Sequence, residues 1–142
     1  MNETPSDEEL REILTRYRRI AVVGMSANPA RPSHGVARFL IASGYELTGV
    51  NPNLAGQKVL GRPVYASLAE LPEPPEIVDV FRRSEYVADV AEQAIAVGAR
   101  VLWTQLGVKD DAAAARARAA GLQVVQNRCT AIEHERLNIP PS

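Results

Sequence analysis

The stretch Ile20-Ala21-Val22-Val23-Gly24 constrains this chain more than any other. A continuous apolar run rich in β-branched residues that stops at a glycine is the pattern of a strand buried on both faces before a tight turn. Such a strand belongs in a parallel sheet with helices above and below it. The segment from Met25 to His34 is rich in Ser, Pro, Asn and Arg and hands the strand over to a helix. Backbone N–H groups in a loop of this kind, with the Arg31 guanidinium among them, suit an anion such as a phosphate.

The rest of the chain repeats this alternation. Ser6 and Glu9 form a capping-box pattern, and Leu10, Ile13, Leu14 and Tyr17 follow at helical spacing, which predicts an opening amphipathic helix over about 6–18. After the loop, Val36, Phe39, Leu40 and Ile41 mark a crossover helix closed by Gly44, and Tyr45 to Val50 reads as the second strand. Leu54 to Val64 has no strong period and reads as an irregular excursion with one short edge strand near Pro63 to Tyr65. Ile77 to Phe81 is the third strand. Ser84 is expected to cap a helix that carries Val87, Val90, Ala91, Ala94 and Ile95 and closes at Gly98. Arg100 to Trp103, an Ala- and Arg-rich helix from Asp110, Leu122 to Val125 and a last helical turn from Thr130 to Leu137 complete the pattern. The expectation is an α/β fold, a Rossmann-like doubly wound parallel sheet of about five strands with helices on both faces, forming a single domain over 1–142 with its core at about 19–137.

In such sheets ligands bind outside the carboxyl ends of the strands. The segments leaving those ends are Gly24 to His34, Asn51 to Lys58, Phe81 to Ser84 and Thr104 to Lys109. A dinucleotide fingerprint needs glycines two and five positions beyond Gly24, where Ser26 and Pro29 stand, and the second strand ends in Val50-Asn51 without the carboxylate that holds a ribose. No Gly-Lys-Ser or Gly-Lys-Thr occurs, so a Walker loop is also absent. What remains is Arg31 in the loop, Arg82-Arg83 after the third strand and Lys58 on the excursion. Guanidinium forks and one ammonium suit a ligand with phosphates in two places.

Other residues take structural readings. Cys129, the single cysteine, reads as a buried thiol that cannot form an internal disulfide, Trp103 as core, and Asp79 as a hydrogen-bonded strand carboxylate. His34, His134 and Cys129 lack metal-ligand spacing, so no metal site is expected. A formal net charge of -1 gives no footprint for nucleic acid. No apolar run approaches a membrane span and the acidic N-terminus does not resemble a signal peptide, so the expected location is cytoplasmic.

Val22 to Pro29 with Arg31 and Ser33, Gly49-Val50-Asn51-Pro52, Val78 to Arg83, Trp103 to Val108 and Asn127 to Glu133 together resemble the small stand-alone CoA-binding proteins. These are similar to the N-terminal Rossmann-like domain of the succinyl-CoA synthetase α subunit. Coenzyme A carries a pyrophosphate and a ribose 3′-phosphate, the two-place layout inferred above. The resemblance implies its pyrophosphate near Gly24, Met25, Ser26 and Ser33, with Arg31 and Pro32 in the same loop. It sets Asn51, Pro52 and Lys58 beside the adenosine and 3′-phosphate, and Phe81, Arg82 and Arg83 on the other side of the cleft. Arg82 and Arg83 adjoin, so if one faces the cleft the other points away. The second domain and partner subunit of the ligases are not expected in a chain ending at Ser142, so the expected function is binding of CoA or acyl-CoA with no catalysis of its own. The alternative is a CoA-transferring subunit of a ligase-like assembly whose protein partner supplies catalysis; an NAD(P)-linked oxidoreductase or redox sensor is the less favoured reading.

Overall fold

A computed structural model of the chain describes residues 4–141. The elements run α1 (Asp7–Arg16), β1 (Arg19–Val23), α2 (Pro32–Ala42), β2 (Glu46–Val50), β3 (Lys58–Val59), β4 (Arg62–Tyr65), β5 (Ile77–Val80), α3 (Val87–Ala96), β6 (Val101–Thr104), α4 (Asp111–Ala119), β7 (Gln123–Val125) and α5 (Thr130–Arg136). One seven-stranded sheet has the order β3-β4-β2-β1-β5-β6-β7. Every neighbouring pair is parallel except β3 with β4.

The apolar runs explain the centre of the sheet. In β1, Ile20 and Val22 enter the core beneath α1, α2 and α5, while Ala21 and Val23 enter the core beneath α3 and α4. Successive side chains of a strand point to opposite faces, so a strand covered on both sides must be apolar at every position. β5 follows the same rule except at Asp79, which is fully buried. The helix ends are those the sequence signals. Ser6 accepts the Glu9 N–H at 3.2 Å, Asp110 accepts the Ala113 N–H at 3.0 Å, and Gly44, Gly98 and Gly121 leave their helices at positive φ.

The structure corrects two expectations. The sheet has seven strands rather than about five, because the excursion after β2 forms a hairpin of β3 and β4, and β4 lies parallel to β2 as a sixth parallel strand. The crossover from β2 to β4 passes through a short 3-10 turn at Pro52–Leu54 and the hairpin instead of an α-helix, so no helical period marks it. Ser84 also does not cap α3: a 3-10 turn at Ser84–Tyr86 precedes that helix, and the Ser84 hydroxyl accepts the Lys109 N–H at 2.9 Å.

Chain direction across the sheet reverses between β1 and β5. From β1 the chain moves through α2 to β2, and later it returns to β5 and moves the other way through α3 to β6. The connections leaving the carboxyl ends of β1 and β5 therefore run to opposite faces of the sheet above Gly24 and Phe81, which is where an open α/β sheet presents a crevice.

Candidate functional site

Gly24 sits at the mouth of that crevice with φ +90. Its N–H donates to the Val50 carbonyl at 2.9 Å, and the Phe81 N–H donates to the Val23 carbonyl at 2.8 Å, so three strand ends are laced together around it. A Cβ on Gly24 would stand 3.2 Å from the backbone of Phe81. Glycine is required here both for its dihedral and for this close approach.

The loop beyond Gly24 is held by its own side chains. Ser26 Oγ accepts the Asn28 N–H at 3.0 Å, and Asn28 Oδ1 accepts the Ala30 N–H at 3.0 Å. Asn51, after β2, donates through Nδ2 to the Met25 carbonyl at 2.8 Å and accepts the Asn53 N–H through Oδ1 at 2.9 Å. The Asn51 side chain therefore braces the loop. The amides of Asn28, Ala30 and Arg31 are engaged inside the loop. Those of Met25, Ser26 and Ala27 make no hydrogen bond among the described residues, and Ser33, in the first turn of α2, has an N–H beyond the reach of any helical acceptor. These donors, the Ser26 hydroxyl proton and the exposed Arg31 form one electropositive rim.

Two cavities flank this rim. A central cavity of about 520 Å³ is lined by Gly24, Met25, Ser26, Arg31, Pro32, Ser33, Asn51 and Phe81, all expected from the sequence, by Gln105, Leu106 and Val108 of the strand-end segment Thr104 to Lys109, and by Val36 and Cys129, which the sequence does not single out for this place. An outer lobe of about 470 Å³ shares Gly24 and Asn51 and adds Pro52, Ser67, Arg82, Asp89 and Gln93 among its walls. Met25 is almost wholly buried, and its side chain lies 2.9 Å from where a Cβ on Gly49 would stand.

Lys58 and Arg83 are not brought to either cavity. Lys58 is exposed on β3, and the Arg83 side chain, 83% exposed, pairs with Glu85 at 3.5 Å. Arg82 instead lines the outer lobe with its guanidinium 4.0 Å from the centre of the Tyr86 ring. Of the two adjacent arginines, Arg82 is therefore the one that faces the cleft. The segment Thr104 to Lys109 is recognisable from sequence as a strand-end loop, yet the cavity position of Gln105 depends on where α5 docks, and local sequence carries no record of that.

Beneath the central cavity lies a buried polar triad. Asp79 accepts the Thr130 hydroxyl at 3.0 Å and the side-chain amide of Gln105, and Gln105 Nε2 also lies 3.3 Å from Thr130 Oγ1. Burial raises the Asp79 carboxyl to about 7, against the opposing effect of those two hydrogen bonds. Trp103, also fully buried, donates its indole N–H to the Arg128 carbonyl at 2.8 Å, which fixes the chain leading to Cys129.

The sheet order, the glycine turn and the paired cavities at the reversal point define a Rossmann-like doubly wound α/β domain with an open strand-end cleft. A family model described as CoA binding domain matches residues 18–135, and the chain belongs to that family. It is 39% identical over 132 residues to the uncharacterized protein YneT of Bacillus subtilis (strain 168), covering 93% of this chain and 96% of YneT. Among solved structures it resembles a hypothetical protein from Pyrococcus horikoshii OT3 with TM-score 0.91 and 42% identity, over 96% of this chain and 94% of that one. A more distant likeness in fold, TM-score 0.67 at 19% identity, is to the dinucleotide-forming acetyl-coenzyme A synthetase 1 of Ca. Korarchaeum cryptofilum, covering 81% of this chain and 27% of that one.

Proposed function

We propose that the cleft binds coenzyme A or an acyl-CoA, and that the chain performs no bond-making chemistry by itself. The pyrophosphate is held at the amides of Met25, Ser26 and Ala27, the hydroxyls of Ser26 and Ser33, and Arg31. The adenosine and its 3′-phosphate extend past Asn51 and Pro52 into the outer lobe, where Arg82 meets the phosphate. The observation that carries this reading is the row of unengaged amides beside a glycine turn, with a cavity on either side of it. Membership of the CoA-binding domain family supports it. The Asn51 brace argues against a nicotinamide dinucleotide, because the position after β2 offers a carboxamide already engaged with the loop instead of a free carboxylate for a ribose.

The alternative, a CoA-transferring component of a ligase-like assembly, draws support from the synthetase that shares the fold within a longer chain. Both readings require CoA binding. CoA at a hundred times its Kd is expected to stabilise the fold by about 2.7 kcal/mol, seen as a rise of several degrees in Tm. Dephospho-CoA is expected to stabilise less and NADH not at all. A larger shift with NADH than with CoA overturns the proposal.

The two arginines separate within the same assay. Arg82→Ala is expected to weaken CoA binding about tenfold, as befits a charge-assisted phosphate contact. Arg83→Ala is expected to stay within about twofold at moderate salt, since its charge is exposed and already paired. Equal losses in the two variants would mean that the outer lobe does not hold the 3′-phosphate.

A further inference from the structure

Gln105 joins the buried triad to the central cavity. Its side chain, 6% exposed, reaches Asp79 and Thr130 through Nε2 and still lines the cavity. Its Oε1 makes no hydrogen bond among the described residues, so one end of the carboxamide is turned to the triad and the other is left for an occupant of the cavity. Val36, Phe81, Leu106 and Val108 give the same cavity apolar walls, where a single polar end carries weight.

Both oxygens of Asp79 accept hydrogen bonds, Oδ1 from Gln105 and Oδ2 from Thr130. Two donors aimed at a carboxyl group suit its ionised form. A protonated Asp79 has an O–H to place, and in a fully buried site that O–H needs an acceptor. Reversal of the Gln105 carboxamide supplies one. A half-turn about its last torsion brings Oε1 to the Asp79 O–H and carries the NH2 to the outward position, and the two ends are nearly equal in size. Thr130 keeps its bond to Oδ2 in both states.

No charged group competes for this role. In register with Asp79 stand Val22 on β1 and Trp103 on β6. From the helices on that face, α1 brings Leu10, Ile13 and Leu14, and α2 brings the buried His34. At α5 the buried titratable groups are Cys129, Glu133, which is engaged by Arg128 and Arg136, and His134, which lies edge-on to Phe39 and Tyr45. Arg18 lies over the Tyr45 ring. None of these sets the balance at Asp79, which is burial against the two hydrogen bonds, and with the carboxyl at about 7 both of its forms are populated near neutral pH.

The step to a ligand rests on the CoA reading above. The arm of CoA that crosses the central cavity carries amide and hydroxyl oxygens, and the phosphates on the rim are acceptors as well. We propose that Gln105 transmits the protonation state of Asp79 to the cleft: with Asp79 protonated the Gln105 NH2 faces the ligand, and with Asp79 ionised its carbonyl oxygen does, so that CoA binds more weakly as pH rises through neutrality. Gln105 is the contact residue and Asp79 a positioning residue behind it. Loss of an outward donor and gain of a buried negative charge act in the same direction on a polyanion. By reciprocity, bound CoA holds the proton on Asp79 more tightly.

Titration calorimetry with CoA at pH 6 and pH 8.5 tests this, with Asp79→Asn and Gln105→Met beside the wild type. Asparagine at position 79 keeps a neutral N–H on the Gln105 oxygen at every pH. Asp79→Asn is expected to match wild-type affinity within about twofold at pH 6 and to exceed it about fivefold at pH 8.5. Comparing proteins at one pH cancels titration of the CoA 3′-phosphate, which all of them meet in the same state. Gln105→Met, with no carboxamide to reverse, is expected to bind about fivefold more weakly than the wild type at pH 6 and within about twofold of it at pH 8.5. Asp79→Asn decides the outcome by itself where Gln105→Met does not fold. Equal affinities of Asp79→Asn and wild type at both pH values, tighter binding by the wild type at pH 8.5, or a Gln105→Met variant that matches the wild type at both overturns the inference and leaves CoA binding standing. Absence of CoA binding to the wild type at both pH values overturns both readings together.

Discussion

Asp79→Asn is expected to stabilise the protein at pH 8 by on the order of 4 kcal/mol, and by far less at pH 4. Asp79 is fully buried, and its carboxyl is raised to about 7 from an ordinary value of 3.8. Below about pH 4 the group is protonated in both folded and unfolded chains and contributes no pH dependence. Between about 4 and 7 the unfolded chain gives up this proton while the folded chain keeps it. The folded state then binds more protons, so the contribution of Asp79 to stability declines as pH rises through that window and levels off above it. Each pKa unit corresponds to about 1.4 kcal/mol, which sets the size of the effect. Asparagine has no proton to lose and still offers oxygen and nitrogen to Thr130 and Gln105. Urea unfolding of the two proteins at pH 4 and pH 8 measures the difference directly. A stability difference between the Asp79→Asn variant and the wild type that is the same at both pH values would show that the folded protein does not hold the Asp79 proton.

The second large effect is expected at Gly24. Gly24→Ala places a side chain at φ +90 and sets its Cβ 3.2 Å from the Phe81 backbone. The dihedral alone costs about 1–2 kcal/mol. The contact with main chain, which cannot rotate away, adds a similar amount, for a total of about 2–4 kcal/mol. Gly56→Ala is the matched control, because Gly56 has φ +85 and a Cβ placed there would meet nothing within 4 Å. It is expected to incur the dihedral cost only. Gly24→Ala is also expected to weaken CoA binding at least about tenfold by forcing the β1 and β5 ends apart, whereas Gly56→Ala leaves it unchanged. Equal loss of stability in the two variants would remove the role assigned to the Phe81 contact.

Much of this architecture is legible in the sequence because it is written locally. Ile20 to Val23, Ile77 to Val80 and Val101 to Thr104 are apolar at almost every position, as parallel strands covered on both faces must be. In the excursion after β2 the sequence shows only β4, as the short edge strand expected near Pro63 to Tyr65; β3 and the hairpin pairing escape because the strands are short and Lys58, Arg62 and Pro63 break any alternation. Ser84 misleads because its hydroxyl bonds an amide 25 residues away, and a local capping rule has no access to such a partner. The polar loop after β1 is readable from Gly24, Ser26, Arg31 and Ser33. The segment Thr104 to Lys109 is marked as a strand end, but which of its residues enters the cavity, and that Cys129 joins them, depends on packing of β6 against β5 and on the start of α5, which no spacing along the chain records. Adjacency shows that Arg82 and Arg83 diverge; only the three-dimensional course after β5 shows Arg82 turned inward.

Ser26, Asn28 and Asn51 fasten the loop after β1 to main-chain atoms of the loop itself and of the turn after β2. The conformational entropy of that segment is therefore surrendered during folding and does not weigh on the encounter with a ligand. Cutting the Asn51 tether would leave every donor of the rim in the chain but scatter their directions. Weaker capture would then come from a lost preorganisation, with no contact removed.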